Sequence, residues 1–403
     1  MIDTMKFGKS LLGHGFDFYA GVPCSYLKPI INYFINTGEY IKAVNEGDAV
    51  AICSGAYMGG KRPIVMMQNS GLANAVSPLS SLNSIFQIPV LGFVSLRGET
   101  GHLDEPQHKL MGCITDKILD ILGIEWEFLS DNTPEALGQI ARVVKAVPEG
   151  RSFFFIVRKN TFCDVELCKS PCRHAGKKVL VGKSKSDSMP LRREVLEIVK
   201  SFSGDHTALI ATTGYTGREL YELGDHNNNF YMVGSMGCAS SIALGFALAR
   251  KNRNVIAIDG DGALLMRMGA LATNAYYKPS NMLHLVLDNN SYESTGGQET
   301  VSGNVDFAGL ANKAGYPRAL HAHGLDELKK YLEEWKYDQA LTFINIKIRC
   351  GSSETLKRPE ILPAEVSKRL RVFFNGDNCK TPVFQELRRQ NSELNSNSNP
   401  DLF

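Results

Sequence analysis

The sequence predicts an α/β protein built from two tandem domains, each a parallel sheet with helices on both faces. Short apolar strands alternate with helical stretches along almost the whole chain, which is typical of parallel sheets. The alternation breaks near 159–190 and then restarts. A chain of 403 residues is also too long for one ordinary core and suits two domains.

The first domain is predicted to span 1–165. Its elements follow directly from the alternation of apolar runs with longer periodic stretches. The predicted strands are Phe16–Gly21, Tyr40–Val44, Pro63–Gln68, Ile88–Ser95 and Phe153–Val157, and the predicted helices cover about 26–36, 46–58, 71–84, 107–122 and 133–147. The segment that follows is rich in Lys, Ser, Gly and Cys and has no sustained period, which predicts a linker at 166–190.

The second domain is predicted to span 191–370. Its predicted strands are Thr207–Ala211, Phe230–Met232, Val255–Asp259, Leu283–Leu287, Ala319–Ala322 and Leu341–Ile346, and its predicted helices cover about 191–202, 217–223, 237–250, 264–276, 306–313, 325–335 and 360–370. The chain beyond about 385 is polar and low in complexity. We therefore expect a partly disordered C-terminal extension at 371–403.

Composition argues against several classes of protein. The net charge is +2 with no basic block, so a nucleic-acid or membrane-surface protein is not expected. The longest apolar runs are far shorter than a bilayer span, and no signal peptide is apparent. Nine cysteines without framework spacing suit a reducing compartment, which predicts a cytoplasmic protein.

The strongest local signal is Gly260-Asp261-Gly262, followed 28 residues after Asp261 by Asn289. Each lies at the carboxyl end of a predicted buried strand, where open α/β sheets bind ligands. Because Mg²⁺ commonly takes carboxylate and phosphate oxygens, Asp261 can supply a carboxylate, Asn289 an amide oxygen and Ser291 a backbone carbonyl. The glycines let the backbone approach a diphosphate, and the next helix points free N–H groups at it. The arrangement resembles the motif that binds thiamine diphosphate (ThDP), and it implies ThDP and Mg²⁺ as cofactors.

The resemblance assigns roles to residues outside this motif. In ThDP enzymes a buried glutamate hydrogen-bonds the aminopyrimidine ring, and the matching residue is Glu46, which follows a predicted strand and opens a helix. Gly234-Ser235-Met236-Gly237 resembles the loop that bends the cofactor. This likeness implies that the Gly234 carbonyl accepts from the aminopyrimidine and that Met236 separates the two rings. Thr212-Thr213-Gly214 precedes a helix and is expected to lie against the diphosphate.

Domain order extends the resemblance to the whole chain. Glu46 lies in the first domain and the metal motif in the second, so the pyrimidine-binding domain precedes the diphosphate-binding domain, as in the 2-oxo acid decarboxylases. The linker is too short for the middle domain of the larger members. Over about 5–370 the chain resembles the phosphonopyruvate decarboxylase family and its sibling, the sulfopyruvate decarboxylases. The likeness is densest at Gly21-Val22-Pro23-Cys24-Ser25, Gln68-Asn69-Ser70-Gly71-Leu72, Arg97-Gly98-Glu99, Asp104-Glu105-Pro106-Gln107-His108, Ala211-Thr212-Thr213-Gly214 and Glu293-Ser294-Thr295-Gly296-Gly297-Gln298.

This resemblance implies a carboxy-lyase that converts phosphonopyruvate to phosphonoacetaldehyde and CO₂, a step of phosphonate biosynthesis. His108 is the first candidate for proton transfer because histidine titrates near working pH, and Asp104 and Glu105 are the second. The anionic tail of the substrate calls for cations and polar groups. The candidate substrate residues are Ser25, Lys28, Gln68, Asn69, Arg97 and Arg218. The family architecture also implies a homodimer or homotetramer with each site between subunits.

Some features depart from the family pattern and leave alternatives open. Position 24 is Cys where sulfopyruvate-type relatives carry Asp, and Cys238 and Tyr292 stand where many relatives carry His. Sulfopyruvate therefore remains an alternative substrate, and a ThDP-dependent carboligase an alternative activity. A non-catalytic subunit is disfavoured because Glu46 and the metal motif are both intact. A zinc site is a further alternative, although its spacing matches no common zinc site; its ligands would be Cys163, Cys168, Cys172 and His174.

Overall fold

A computed structural model of the protein describes residues 1–146, 150–168, 179–180, 189–352 and 356–376. These residues form two parallel sheets, one in each half of the chain, and one two-stranded hairpin. Helices cover the sheets, so the predicted α/β class is confirmed.

The first half of the chain forms a six-stranded sheet in which all neighbouring strands are parallel. Its strands are β1 (Phe18–Gly21), β2 (Tyr40–Lys42), β3 (Pro63–Gln68), β4 (Leu91–Ser95), β5 (Glu125–Phe128) and β6 (Phe153–Val157), in the order β2-β1-β3-β4-β6-β5. Its helices are α1 (Thr4–Gly13), α2 (Lys28–Asn36), α3 (Glu46–Met58), α4 (Asn69–Pro78), α5 (Lys109–Ile121) and α6 (Thr133–Ala146). The strand order reverses between β1 and β3, so the loops after these strands border a crevice.

The second half forms a seven-stranded parallel sheet. Its strands are β7 (Val179–Leu180), β8 (Thr207–Ala211), β9 (Asn229–Tyr231), β10 (Asn254–Gly260), β11 (Met282–Asp288), β14 (Arg318–Ala322) and β15 (Thr342–Lys347), and β12 (Ser291–Tyr292) and β13 (Gln298–Glu299) form the hairpin. The strand order is β7-β14-β15-β11-β10-β8-β9. Its helices are α7 (Arg192–Ser203), α8 (Tyr215–Glu222), α9 (Ala239–Ala249), α10 (Asp261–Met266), α11 (Ala270–Tyr277), α12 (Phe307–Ala314), α13 (Leu325–Asp338) and α14 (Pro363–Asn375). Here the order reverses between β8 and β10, which again places a crevice at their carboxyl ends.

The two halves meet chiefly where α3 crosses α9. Both helices are buried on nearly every side, which explains why their sequences are apolar and small all round rather than amphipathic. Gly55 and Gly245 lie at the crossing and bring the two backbones into contact. The N-terminal ends of α3 and α9 therefore lie near each other, and these ends carry Glu46 and the loop before Ala239.

Several elements were not predicted from the sequence, among them the hairpin of β12 and β13. Helix α1 precedes the first predicted strand and begins at an Asp3 cap, whose side chain accepts from the Lys6 amide at 3.0 Å. Strand β5 has the sequence Glu-Trp-Glu-Phe, and its alternation of charged and aromatic residues fits an edge strand rather than a buried run. Strand β7 lies inside the predicted linker and pairs with β14.

Several predicted bounds were wrong for local reasons. The helix predicted at 264–276 is two helices, because the chain turns at Arg267–Gly269 between them. The helix predicted at 71–84 begins at Asn69 and continues beyond Pro78 as a π-helix, Leu79–Ser84. Helix α14 reaches Asn375, inside the segment predicted as a partly disordered extension.

The remainder of that extension, 377–403, lies outside the described residues. No helix in the described ranges is long and apolar enough to span a membrane.

Candidate active site at the carboxyl ends of the two sheets

An open cleft lies where β8, β10 and β11 end. Eight of its lining residues are among those the sequence singles out for the cofactor: Thr212, Thr213, Met236, Gly260, Asp261, Gly262, Asn289 and Ser291. Residues from four separate stretches of chain thus meet at the crevice that the strand order creates.

Asp261 is held by two hydroxyl groups. Its side chain is almost fully buried, and its Oδ2 accepts from Thr300 Oγ1 at 2.5 Å and from Ser302 Oγ at 2.9 Å. Burial raises the pKa of Asp261, while the two hydroxyl hydrogen bonds oppose that rise. Because both hydroxyls bind the same oxygen, they fix the carboxylate and direct Oδ1 elsewhere, as a cation ligand requires.

Asn289 lies in a tight turn after β11. Its Nδ2 donates to Glu293 Oε2 at 3.0 Å, and its Oδ1 accepts from the Ser291 backbone amide at 3.1 Å. The next residue, Asn290, has a left-handed backbone with φ of 56°. Lys347 stabilises this turn by donating to Asn290 Oδ1 at 2.8 Å and pairing with Asp288 Oδ2 at 2.7 Å. The turn brings the amide of Asn289 and the Ser291 backbone to the cleft.

Two features of the cleft fit an anionic group. The Oγ1 of Thr212 is buried without a hydrogen-bond partner among the described residues, although it lies at the cleft wall. A buried hydroxyl without a partner is costly, and a diphosphate oxygen would satisfy it. Gly214 has φ of 95°, and this left-handed position lets the chain turn sharply into α8 beside Ser294. Together with Asp261 and Asn289, these groups fit a diphosphate bound through a divalent cation.

The loop 234–237 is clamped between the two halves of the chain. Ser235 has φ of 51°, an unfavourable value for a residue with a side chain. Ser81 of the first half holds it there, because Ser81 Oγ accepts from the Ser235 amide at 2.9 Å and lies 2.7 Å from Ser235 Oγ. Gly234 packs on the same serine, and a Cβ at Gly234 would lie 2.7 Å from Ser81 Cβ. The clamp presents Met236 to the cleft.

Glu46 is the first residue of α3. Its Oε2 accepts from Asn74 Nδ2 at 2.9 Å, and a Cβ on Gly71 would lie 2.2 Å from its carboxyl group, so only glycine leaves room for it there. Asn45 caps the helix by accepting from the Gly47 amide at 2.8 Å. The carboxylate is therefore fixed by its surroundings and remains partly exposed.

Arg267 joins the start of α3 to the second half, a contact not anticipated from the sequence. Its Nη1 lies 3.0 Å from Asn45 Oδ1 and 3.1 Å from Asp48 Oδ1, on either side of Glu46 in the chain. The same side chain packs on Gly237 at the other end of the cofactor loop. Because Arg267 follows α10, it ties the metal motif to the helix that carries Glu46.

Asp104 holds Arg97 rather than facing the cleft as a free acid. Its carboxylate binds Nε and Nη2 of Arg97 and accepts from the Gly98 amide at 2.8 Å and the Glu105 amide at 2.8 Å. Arg97 holds the pKa of Asp104 far below its usual range, although burial opposes this. This pairing disfavours Asp104 as a proton donor, because a carboxylate that stays ionised has no proton to donate.

The Nη1 group of Arg97 does not bind Asp104 and contacts other residues. Its Nη1 donates to Ser25 Oγ at 3.2 Å, and its guanidinium stacks over Tyr26 at 4.9 Å from the ring centre. Nearby, Cys24 Sγ lies 2.9 Å from Ser95 Oγ and 3.6 Å from Gln68 Oε1. The candidate substrate residues Ser25, Gln68 and Arg97 thus lie around the carboxyl ends of β1, β3 and β4.

Asn69 is placed differently from the prediction. Its side chain is fully buried and donates to the Arg97 carbonyl at 2.8 Å and to Thr115 Oγ1 at 3.1 Å. It supports the Arg97 loop from below and does not line an open pocket. His108 is also buried, and its Nδ1 has no hydrogen-bond partner in the described residues.

The remaining residues that the sequence singled out have different surroundings. Arg218 stacks over Tyr215, a cleft residue, at 5.5 Å from the ring centre, whereas Lys28 is exposed at the start of α2. Burial raises the pKa of the Cys238 thiol to about 12. Tyr292 packs on Gly262, where a Cβ would lie 2.4 Å from its ring.

The zinc alternative gains no support from the described residues. No three His, Cys, Asp or Glu side chains come together there in a way that could hold a metal ion. Cys172 and His174 of the proposed cluster lie outside the described residues.

Comparison with known proteins agrees with this site. Residues 210–346 match the family described as "Thiamine pyrophosphate enzyme, C-terminal TPP binding domain", thiamine pyrophosphate being another name for ThDP. The chain is 39% identical to a phosphonopyruvate decarboxylase of Streptomyces viridochromogenes over 93% of this chain and 95% of that protein. It is 29% identical to a sulfopyruvate decarboxylase of Methanosarcina acetivorans over 89% of this chain and 94% of that protein.

A solved structure shows the same fold. Benzoylformate decarboxylase from Polynucleobacter necessarius superposes with a TM-score of 0.68 at 14% identity, covering 89% of this chain and all of that chain. The fold, the matched cofactor domain and the identity over nearly full length lead to one conclusion. The chain belongs to the phosphonopyruvate decarboxylase family of ThDP-dependent decarboxylases.

Proposed function

We propose that this protein decarboxylates phosphonopyruvate to phosphonoacetaldehyde and CO₂, with ThDP and Mg²⁺ bound in the cleft. The observation that carries the proposal is the meeting of Asp261, Asn289 and the unpartnered Thr212 hydroxyl at one crevice. The near-full-length identity to a phosphonopyruvate decarboxylase supports the choice of substrate.

Different residues would bind the cation and the diphosphate. Asp261 Oδ1, the amide oxygen of Asn289 and the Ser291 carbonyl would hold Mg²⁺, whose preferred ligands are oxygens. Thr212 Oγ1 would donate to the diphosphate. ThDP supplies the group that takes up the electrons released when CO₂ departs, which a 2-oxo acid alone lacks.

Glu46 and His108 are the proposed proton-handling groups. The carboxylate of Glu46, already held by Asn74, would hold a proton on the aminopyrimidine ring. His108 is buried and its Nδ1 is unpartnered within the described residues, so it would supply the proton that replaces CO₂.

The phosphonate carries more than one negative charge and needs more than one donor. Arg97 Nη1, braced by Asp104, and Arg218 beside the cleft are the proposed cations, with Ser25 and Gln68 nearby. If Arg218 binds the phosphonate, Arg218→Met raises the KM for phosphonopyruvate and leaves the KM for pyruvate unchanged. Arg193→Met is the matched control, since this exposed arginine pairs only with Glu197 and Glu222 on the described surface.

We also propose a homodimer or homotetramer with sites between subunits, in which the two halves that meet here within one chain would meet across the subunit boundary. Three exposed apolar side chains lie close in sequence to residues of the site: Val44 two positions before Glu46, Val233 next to Gly234, and Met266 at the end of α10. Exposed apolar residues grouped around a site favour a covering partner. The described cysteines are all free, which supports a cytoplasmic location.

Initial rates of CO₂ release test the proposed substrate. Phosphonopyruvate, sulfopyruvate and pyruvate are compared as sole substrates with ThDP and Mg²⁺, using Asp261→Asn as the inactive control and Asp205→Asn, at an exposed site, as the matched one. We expect the highest kcat/KM with phosphonopyruvate. A higher value with sulfopyruvate would favour the second candidate, which the likeness to the Methanosarcina protein supports.

A further inference from the structure

Arg192 is a buried arginine at the wall of the cleft. It opens α7, is 5% exposed, and lies among the residues that line the cleft. Its Nη1 binds Glu219 Oε1 at 3.0 Å, and its Nη2 binds Glu293 Oε2. Glu219 is equally buried, and burial raises its pKa although Arg192 opposes the rise. A guanidinium that pairs with two carboxylates fixes both, because its planar fork has a rigid geometry.

Glu293 passes this constraint to Asn289. The Oε2 that binds Arg192 also accepts from Asn289 Nδ2 at 3.0 Å, and Oε1 accepts from the Gly351 amide at 2.6 Å. Three stretches of chain, around Arg192, Glu293 and Gly351, therefore converge on one carboxylate. Because Arg192 and Gly351 hold Glu293 in place, its carboxylate could not follow the Asn289 amide if that amide rotated.

The chemistry of the amide gives this contact a consequence. An asparagine side chain donates from one end and accepts at the other, whereas an ionised glutamate only accepts. Glu293 must therefore meet Nδ2 of Asn289, and Oδ1 is forced to the opposite side. A rotated amide would offer Mg²⁺ an N–H group, which cannot bind a cation.

We propose that Glu293 and Arg192 are positioning residues that hold the Asn289 amide oxygen toward the metal. This inference rests on the proposed Mg²⁺ site and assigns that site its supporting groups. Arg192 orients Glu293, and Glu293 orients Asn289. Neighbouring hydrogen-bond partners of metal ligands commonly change metal affinity by about 10- to 100-fold when removed.

The residues just before Arg192 are also held by contacts with the chain near Gly351. The Arg349 amide donates to the Pro190 carbonyl at 3.0 Å, and Leu191 forms a parallel bridge with Arg349, two residues before Gly351. The Leu191 amide in turn donates to Glu194 Oε2 at 2.6 Å. The residue that precedes α7 is thus anchored, and Arg192 enters the cleft wall at a fixed place.

The test measures the Mg²⁺ concentration at half-maximal ThDP binding, by calorimetry on the full-length protein without substrate. The variants are Glu293→Gln, which leaves Arg192 paired with Glu219, and Arg192→Met. In Glu293→Gln the carboxylate, which only accepts hydrogen bonds, becomes an amide that can either donate or accept. The variant therefore no longer requires Asn289 to turn its Nδ2 toward position 293. Arg193→Met is the control on the same helix turn, because its side chain is 48% exposed. Thermal unfolding of each metal-free variant identifies any that fails to fold.

We expect Glu293→Gln to raise the half-saturating Mg²⁺ concentration about 10-fold or more, and Arg192→Met to raise it at least as far. Arg193→Met should leave it unchanged. A folded Glu293→Gln protein with the wild-type value would overturn the inference, as would an equal shift in Arg193→Met. Wild-type protein that binds ThDP without any divalent cation would instead overturn the proposed cofactor site, and the inference with it.

Discussion

Gly55 and Gly245 face each other's helices at the crossing of α3 and α9. A Cβ on Gly55 would lie 1.9 Å from the Ile242 carbonyl oxygen, and a Cβ on Gly245 would lie 1.9 Å from the Ile52 carbonyl oxygen. Real Cβ atoms do not approach backbone oxygens so closely, so both positions require glycine. The close approach brings together the helix starts that carry Glu46 and the cofactor loop.

Gly55→Ala should separate the two halves. We expect a loss of about 1–3 kcal/mol or more in the free energy of unfolding, because the backbone opposite cannot move aside without shifting a helix. Gly13→Ala is the control, since a Cβ there meets nothing within 4 Å. Urea unfolding compares the two, and the account fails if Gly55→Ala is as stable as Gly13→Ala.

Glu46→Gln should separate binding from turnover. The diphosphate and metal contacts lie in the second half and are untouched, so ThDP affinity should stay within a few-fold of wild type. Turnover should fall about 100-fold or more, because the amide cannot hold a proton on the cofactor ring. Calorimetry and CO₂ release measure the two properties. Near-normal turnover would remove Glu46 from its proposed role.

Mixed oligomers should show whether each site uses two chains. We expect Glu46→Gln and Asp261→Asn chains to be inactive alone, and co-expression with different tags allows the mixed species to be isolated. If a site takes Glu46 from one chain and Asp261 from another, one site in each mixed dimer is intact and about half of the activity returns. Mixed oligomers that stay inactive would place both residues of a site in one chain.

The Arg97–Asp104 pair predicts a specific dependence of stability on pH. The pKa of Asp104 is lower in the folded state than in the unfolded state, where it is about 3.9. Asp104 therefore contributes stability at pH values above about 3.9, and this contribution is lost as the pH falls toward the folded-state pKa. The stability difference between wild type and Asp104→Asn should therefore be constant from about pH 5 to 8 and shrink below about pH 4. Denaturant unfolding across this range measures it. A difference that changes between pH 5 and 7 would mean that another group titrates there.

The cofactor motif could be predicted from sequence because its geometry is local. Asp261 and Asn289 directly follow strands, and in a parallel sheet the carboxyl ends of neighbouring strands lie together. The loop before α9 followed the same rule. Strand β5 was missed since its alternation suits an edge and not a buried run.

The supporting contacts could not be predicted from the sequence. Arg192 binds Glu293 from about a hundred positions away along the chain, and Arg267 reaches Asn45 over a still longer separation. A buried arginine could pair with any of several carboxylates, and which one it contacts depends on how the two halves of the chain pack. The pairing of Asp104 with Arg97 could not be predicted for the same reason, because it forms only once the loop is folded.

Phosphorus NMR of phosphonopyruvate incubated with the protein, ThDP and Mg²⁺ tests whether the protein decarboxylates this substrate. We expect one new phosphonate signal, that of phosphonoacetaldehyde, formed in step with CO₂ and absent for Asp261→Asn. Adding a second aldehyde distinguishes a carboligase, which would give a joined product. No conversion by protein that demonstrably binds ThDP would contradict the proposed activity.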